Sequence, residues 1–549
     1  MISQMKKKLY NSQVFHEVNL NHIQSLLANK KYKDALFLSE KHSVLYPNII
    51  QYKKSCAFCY SALGELVKSK ELWLELINND PFHEESLINL ADVELKLGRI
   101  DSAIGLLKLS SEYHPESIKS YLNMGGAYLL KGDFNAAFNV SLKAVNVDPK
   151  NPDAFQNLGS SFFNLGMFNE AKHAFDTALI LNPNLQEPLI SLSMILIKQD
   201  RHEKAITILE DLINKHKSSD RISLDQLKWD SSLVYLRLGN LIKGFEYYEC
   251  GMSLEVRGHL IRRPSRTFKL PRWTRKSSKD LPVLVWREQG VGDEILFLTC
   301  LADLILDGFS PIIETDKRLV NIFKNSFPKC VIREACFRIE YPHDPFHNDF
   351  GSHIPMGSLM YFYRKKYEDF PNKSAYLIPD SKLISKWNKR FSIFNKNKKL
   401  VGISWKGGLN DPLRNSKYTK LVDWKLILNN PNFEFINLQY GDCKEEIHEV
   451  ESALGVSIHC WDDLDLKNDF DDIFALLKNL DYVVSVSTAI WMFAASVGTP
   501  TIVLLHTPHW TMFDKNYSPF FPDVKCLVTN RNQPINELLP TAISIINQQ

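Results

Sequence analysis

Residues 118–149 and 152–183 superpose at a spacing of 34: Gly125 falls on Gly159, Ala137 on Ala171, Ala144 on Ala178 and Pro149 on Pro183. The frame runs back through Leu90, Gly98, Ala103 and Pro115, then Ala57, Tyr60, Gly64 and Pro81, to Ala35 and Pro47. A unit of this length holds two antiparallel helices. The small residues recur where the helices must approach closely, Tyr121, Phe155, Phe162 and Phe175 fill the space between them, and proline ends the second helix. One such unit cannot bury its apolar face alone, so the units must stack into an array.

The period is that of tetratricopeptide repeats. It continues through Leu189, Leu192 and Ala205, loses its proline, and returns in LVYLRLGNLIKGFEYYE, residues 233–249. Residues 16–255, within a first domain of 1–255, are therefore expected to form an α-solenoid of about six or seven helical pairs. A concave solenoid suits capture of a polypeptide, and the same surface suits self-association.

At about 150 residues per domain, a chain of 549 residues has room for the array and two further domains. The 66 basic and 63 acidic residues leave no global charge bias, so net charge implies neither nucleic acid nor an anionic membrane. Nine scattered cysteines read as reduced thiols of a cytoplasmic protein. MISQMKKKLYNSQVF has no apolar segment after its basic residues and does not read as a signal peptide. The apolar stretch YVVSVSTAIWMFAASVGTPTIVLL is broken where a strand, a helix and a strand would meet, which argues against a membrane span.

Residues 256–280, with prolines at 264 and 271 and a dense run of Arg and Lys, read as an extended connector. Its charge either attracts an acidic partner or a nucleotide or forms a solvated face. Beyond it the period changes. Apolar runs at LPVLVW, SPIIET, CVIREA, KLVGISW, FEFINLQ, DYVVSVS and PTIVLLH alternate with helical segments, the pattern of wound parallel sheets. Residues 281–397 and 398–549 are expected to form two such domains, with WNKRFSIFNKNKK as a polar hinge and INELLPTAISIIN as a closing helix.

The segment VWREQGVGDEILFL, residues 285–298, places a glycine-punctuated acidic turn between a buried strand and a helix. Gly290 and Gly292 allow close backbone approach, and the turn would lie at the carboxyl edge of its sheet, where ligands of open α/β folds bind. Asp293 there is either a helix cap or a group that meets substrate.

Taken in order, the array, GFEYYE, the connector PRW, EQGVGDEILF, IPMGSL, GISWKGG, LQYGD and VSVSTAIWMFAASVGTP resemble bacterial tetratricopeptide–glycosyltransferase proteins, whose catalytic half is similar to the heptosyltransferases of lipopolysaccharide synthesis. The resemblance covers nearly the whole chain and implies a GT-B fold: two Rossmann-like domains, the first meeting the acceptor and the second holding a nucleotide-activated sugar. Within that group the chain is most similar to flagellin glycosyltransferases, in which the repeats capture flagellin and the catalytic half modifies its Ser or Thr hydroxyls. The resemblance makes Asp293 the base, with Glu288 and Glu294 as weaker candidates, one orienting the turn and the other facing solvent. Glu288, Gln289, Gly290 and Gly292 then shape the substrate side of the turn. Ser404 and Lys406 reach phosphate oxygens, Arg414 adds a planar cation, Gln439 meets the nucleotide, and Ser487 and Thr488 open a helix as an anion site. No metal and no cofactor is implied, and WDDLDLKNDFDD reads as helix capping and surface.

The heptosyltransferase-like closing motif has an Asp and a His where this chain has Ser487 and Met492. A neutral Ser487 accommodates a donor that carries a carboxylate beside its phosphate, which points to a CMP-activated nonulosonic acid such as pseudaminic or legionaminic acid. Alternatively, both are neutral replacements in a helix that packs inward. Two other classes stand beside this reading: an enzyme acting on a lipid-linked glycan with a nucleoside-diphosphate sugar, and a non-catalytic tetratricopeptide adaptor.

Overall fold

The computed structural model describes residues 2–217, 223–252, 255–256, 259–260, 262, 266, 268–335, 349–407, 419–529 and 533–548. Internal contacts divide the chain into two compact units, Met1–Ile208 and Leu209–Gln549. The first is helical throughout: α1 (Ile2–Ala28), α2 (Tyr32–Leu45), α3 (Ile50–Ala62), α4 (Leu66–Asn79), α5 (Glu84–Lys96), α6 (Ile100–Tyr113), α7 (Ile118–Lys131), α8 (Phe134–Val147), α9 (Pro152–Asn164), α10 (Phe168–Leu181), α11 (Gln186–Lys198) and the start of α12 (His202–Lys215). From α1 to α11 each helix packs on the one before it.

The small residues of the repeat sit where expected. Ala137, Ala144, Ala171 and Ala178 are completely buried, and a Cβ on Gly159 would come within 2.6 Å of the Phe175 ring. Asn151 caps α9 through the N–H groups of Asp153 and Ala154, with Pro152 behind it. The backbone keeps the period further than the side chains do. A left-handed residue recurs every 34 positions, at Lys30, Gly64, Gly98, Gly132, Gly166 and Asp200. At the first and last of these the turn persists without the glycine that made it legible.

After the rest of α12 the second unit holds a helical pair, α13 (Leu224–Arg237) and α14 (Leu241–Tyr248), a short antiparallel ribbon of Glu255–Val256 with His259–Leu260, and two parallel sheets. The first sheet has strands β1 (Val283–Trp286), β2 (Pro311–Thr315), β3 (Val331–Glu334) and β4 (Ser352–Pro355) in the order β3-β2-β1-β4. The second has β5 (Lys399–Ser404), β6 (Phe433–Asn437), β7 (Ile458–His459), β8 (Tyr482–Val486), β9 (Thr501–Leu505) and β10 (Lys525–Val528) in the order β10-β9-β8-β5-β6-β7. Both orders reverse beside the first strand of the sheet, the switch point at which open parallel sheets bind ligands. In between and after run α15 (Val291–Phe297), α16 (Ser381–Phe391), α17 (Lys444–Leu454), α18 (Phe470–Lys478), α19 (Ala489–Val497) and α20 (Leu539–Asn547).

Alternation along each strand divides the core. Val283, Val285, Ile313, Val483 and Val503 face one continuous cluster that also holds Leu236, Phe245 and Tyr248, whereas Leu284, Trp286 and Ile312 face a smaller one. Val484, Ile502 and Leu504 turn to a third, closed by Leu539 and Ile546 of α20. The closing helix therefore packs on the second sheet. Because Leu236 and Phe245 share the first sheet's core, the last helical pair groups with the sheets, and the compact units divide at 208/209 instead of at the connector.

Three expectations are corrected. Among the described residues of the connector, Arg262 and Trp273 are fully buried and Arg266 pairs with Glu314, so these three make core contacts, while residues 269–272, 274–276 and 278–280 are exposed, as a solvated face would be. The expected polar hinge begins inside α16, where Trp387 and Phe391 are buried and Trp387 donates to Asp472 Oδ1 at 2.7 Å. The cysteines include a Cys-x-x-Cys that a reading of scattered thiols passes over. Cys56 and Cys59 lie on α3, both free and buried, and burial pushes their thiols up to about 12 and about 11, which suits inert core residues. No helix among the described residues is long and apolar enough to cross a membrane.

Candidate active site

The turn after β1 is held by buried charges. Glu288 has no exposed surface and accepts from Arg262 through both carboxylate oxygens, Nε to Oε2 at 2.6 Å and Nη2 to Oε1, while the Gly357 N–H donates to Oε1 at 2.8 Å. That last contact needs a glycine, since a Cβ on Gly357 would stand 2.7 Å from Oε1. Arg262 also donates to Glu249 Oε1 at 2.9 Å and Ser358 Oγ at 3.0 Å. Two arginines, Arg262 and Arg272, hold Glu249 below the usual carboxylate range against the opposing effect of its burial.

Gln289 follows with φ +59°, left-handed for a side-chain-bearing residue, and its amide donates to the Tyr248 hydroxyl. Gly290 is the N-cap of α15, and its N–H donates to Asp293 Oδ2 at 3.1 Å. Asp293 therefore does cap the helix. Its carboxyl is nevertheless pushed up to about 6 by burial, with the Gly290 N–H opposing the shift and the neighbouring Glu288 adding to it. Among the described residues no cation contributes to that balance. Glu294, expected to face solvent, is fully buried: Oε2 accepts from Thr315 Oγ1 at 2.6 Å and the Asp316 N–H at 3.1 Å, and Oε1 pairs with Arg287 at 2.9 Å. Burial pushes it up to about 7 although Arg287 opposes this.

At the second sheet, Ser404 of β5 pairs in register with Ser485 of β8, so the turns after these strands lie side by side at the switch point. Gln439, 1 % exposed, accepts through Oε1 from the Lys406 N–H at 2.9 Å and the Trp405 N–H at 3.1 Å, with Ser404 Oγ at 3.4 Å. The Lys406 ammonium donates to Glu446 Oε2 at 2.6 Å, and the Leu421 N–H donates to Oε1 at 2.8 Å. Thr488 is the N-cap of α19, its hydroxyl 3.1 Å from Ser485 Oγ and making no cap to the helix, so among the described residues no side-chain cap covers the first-turn N–H groups. Ser487 beside it is half-buried.

The expected residues thus divide. Asp293, Ser487 and Thr488 remain at the edges with polar atoms to offer. Glu288 is buried and orients the turn, and Ser404 and Gln439, expected to meet phosphate and nucleotide, are buried and bonded to protein partners, so they too shape the turns. Lys406 stands paired with Glu446, and Arg414 lies outside the described residues. Met492 is buried in α19, 3.1 Å from where a Cβ on Gly292 would stand, so the absent side chain of Gly292 lets α15 and α19 meet. A cavity of about 170 Å³ opens at this meeting. Its walls follow five strands: Val291 after β1, Arg318 after β2, Tyr440 after β6, Leu466 and Phe470 after β7, and Ile490 after β8. The carboxyl edges of both sheets thus face one space. Sequence reasoning gave no role to Tyr248, Glu249, Arg262 or Glu446, whose partners lie far along the chain; Tyr248 and Glu249 carried a signal as the end of GFEYYE, and Gly357 as the glycine of IPMGSL.

Residues 118–151 and 152–185 each match the tetratricopeptide repeat sequence family. The chain is 28 % identical over 371 residues to Protein FlbA of Caulobacter vibrioides (strain ATCC 19089 / CIP 103742 / CB 15), covering 65 % of this chain and 60 % of that protein's length. This stretch is longer than either compact unit and so reaches into both. Among solved structures, the Cut9–Hcn1 hetero-tetramer of APC/C is 17 % identical with a TM-score of 0.38, covering 43 % of this chain and 46 % of that one. A tetratricopeptide protein of Parabacteroides merdae ATCC 43184 is 12 % identical with a TM-score of 0.38, covering 44 % and 93 %, and a thermophilic one of Thermus thermophilus is 20 % identical with a TM-score of 0.30, covering 33 % and 98 %. Such scores bear on neither site nor activity. The chain carries tetratricopeptide repeats, followed by a region of parallel sheets, and resembles Protein FlbA across parts of both.

Proposed function

We propose that the chain is a cytoplasmic glycosyltransferase of GT-B architecture that transfers a sugar from a nucleotide donor to Ser or Thr hydroxyls of a protein held by the repeats. What carries the reading is the shared cavity at the carboxyl edges of both sheets, lined by Val291, two residues before Asp293 at the start of α15, and by Ala489 and Ile490, the first residues of α19. In the reaction the acceptor Oγ attacks the anomeric carbon, the bond from that carbon to the phosphate oxygen breaks, and the nucleotide leaves with the electron pair. The acceptor proton passes to the Asp293 carboxylate, whose value near 6 suits a base at neutral pH. Negative charge on the departing phosphate meets the N–H groups after Thr488 and the Lys406 ammonium, once the anion competes with Glu446 for it.

The acceptor and the donor rest on resemblance and residue chemistry. Flagellin is the acceptor implied by the ordered motifs, and the neutral Ser487 favours a CMP-activated nonulosonic acid over a donor that an ionised Asp would tolerate. The test is mass spectrometry of a flagellin co-expressed with the chain and with its Asp293→Ala variant. A sugar-sized mass addition on Ser or Thr with the first and none with the second is expected; no addition in either case sinks the reading. Thermal-shift titration with CMP, CDP, UDP, GDP and ADP separates the donor: selective stabilisation by a nucleoside diphosphate without response to CMP overturns the nonulosonate and leaves the transferase.

A further inference from the structure

The turn that carries Asp293 is held in an unfavourable backbone state by a residue outside its own sheet. A non-glycine residue at positive φ is disfavoured by roughly 1–2 kcal/mol, so Gln289 at +59° needs something to hold it. Two anchors are present. Immediately before it, Glu288 is fixed by Arg262 and the Gly357 N–H. Its own amide donates to the hydroxyl of Tyr248, which ends α14. Tyr248 is itself immobilised, 5 % exposed, with the Arg262 guanidinium 4.6 Å above its ring and Trp229 at 5.1 Å. Immediately after Gln289 comes the Gly290 N–H that orients the Asp293 carboxylate. The dihedral of Gln289 therefore sets the direction of that N–H, and Tyr248 sets the dihedral.

We propose, resting on the reading of Asp293 as the base, that Tyr248 is a positioning residue for it, acting from the terminal helical pair through Gln289. The pair thus serves the reaction as part of the active-site frame as well as closing the repeat pattern. Tyr248→Phe deletes only the hydroxyl and leaves the ring packing in place. Turnover is expected to fall about 10-fold with the donor KM unchanged, the size of effect that follows from a small misplacement of a catalytic group. Amide exchange over residues 289–293 should rise in the same variant.

Glycine adopts positive φ without help, so the cost of Tyr248→Phe should largely vanish in a Gln289→Gly background. An equal cost in both backgrounds, or no change in turnover and exchange on Tyr248→Phe, overturns the positioning. Asp293→Asn assayed alongside separates the two claims. A fully active Asp293→Asn chain removes the base reading and the positioning built on it. An inactive one, with additive Tyr248 and Gln289 effects, removes the positioning alone. Should the wild-type chain transfer nothing, the exchange comparison still decides whether Tyr248 fixes the turn.

Discussion

At the carboxyl edge of the first sheet the charged groups are buried and bonded to one another, and one acid, Asp293, has no cation beside it among the described residues. At the edge of the second sheet the buried groups are neutral, and the one described cation of the motif, Lys406, is half-buried and paired with Glu446, itself only partly covered. Burial acts differently in the two places. Around Glu288 it makes charge pairing compulsory, because an uncompensated buried charge costs several kcal/mol. Around Asp293 it leaves a proton bound up to about pH 6. Around Lys406 the exposure makes the ion pair cheap to exchange, as surface pairs contribute little. The contrast teaches that one edge is built to hold a proton acceptor still and the other to give up a cation to an arriving anion.

The largest effect should come from breaking the first edge. Arg262→Met strands Glu288 without a counter-charge, and denaturant unfolding should show a loss of about 3–5 kcal/mol. A loss under about 1 kcal/mol would mean that the edge is not held by this pair.

Asp293→Asn should lower transfer on the order of 100-fold or more while donor affinity stays near its original value. The same variant should be more stable than the parent at pH 8 by about 1–3 kcal/mol. Asp293 in the folded chain titrates above its ordinary 3.8, so between about pH 4 and pH 6 the folded state binds the extra proton. Its contribution is fully favourable below that window and is lost as the pH rises through it. The advantage of Asn should therefore shrink to nothing by about pH 4. A variant less stable than the parent at pH 8 would show that the cap to Gly290 outweighs the burial.

At the second edge, Lys406→Ala should weaken CMP binding about 10-fold, the range of a single charge-assisted phosphate contact, and change stability by less than about 1 kcal/mol. Glu446→Gln should do the opposite on a smaller scale, strengthening CMP binding a few-fold by releasing the ammonium. If both substitutions leave CMP binding unchanged, the second edge does not work by exchange.

Much of this architecture could be read from the sequence, for identifiable reasons. Ala137, Ala144, Ala171 and Ala178 announced the repeat because helices that touch permit only small residues there. The inner strands announced themselves as unbroken apolar runs because both of their faces are buried. Among the edge strands, β3 was read in CVIREA, but β7 is two residues long and β10 is exposed or half-buried throughout, so neither of these makes an apolar run. Lys30 and Asp200 hide the repeat's turn because a left-handed residue without glycine leaves no compositional mark. The glycine-Asp turn was legible, whereas Arg262 was not. Its partners Glu249 and Glu288 lie 13 and 26 residues away on different elements, and a basic run in a proline-containing connector looks the same whether it is solvated or buried.

The most direct test is the pH dependence of transfer by the wild-type chain between pH 4.5 and 8, measured as kcat/KM for the acceptor. With Asp293 as the base, the rate should fall tenfold per pH unit below about 6, and the limb should keep its place in Glu294→Gln, which removes the other acid of the turn with a raised value. A rate that stays flat down to pH 5, or a limb that disappears in Glu294→Gln, would contradict Asp293 as the proton acceptor.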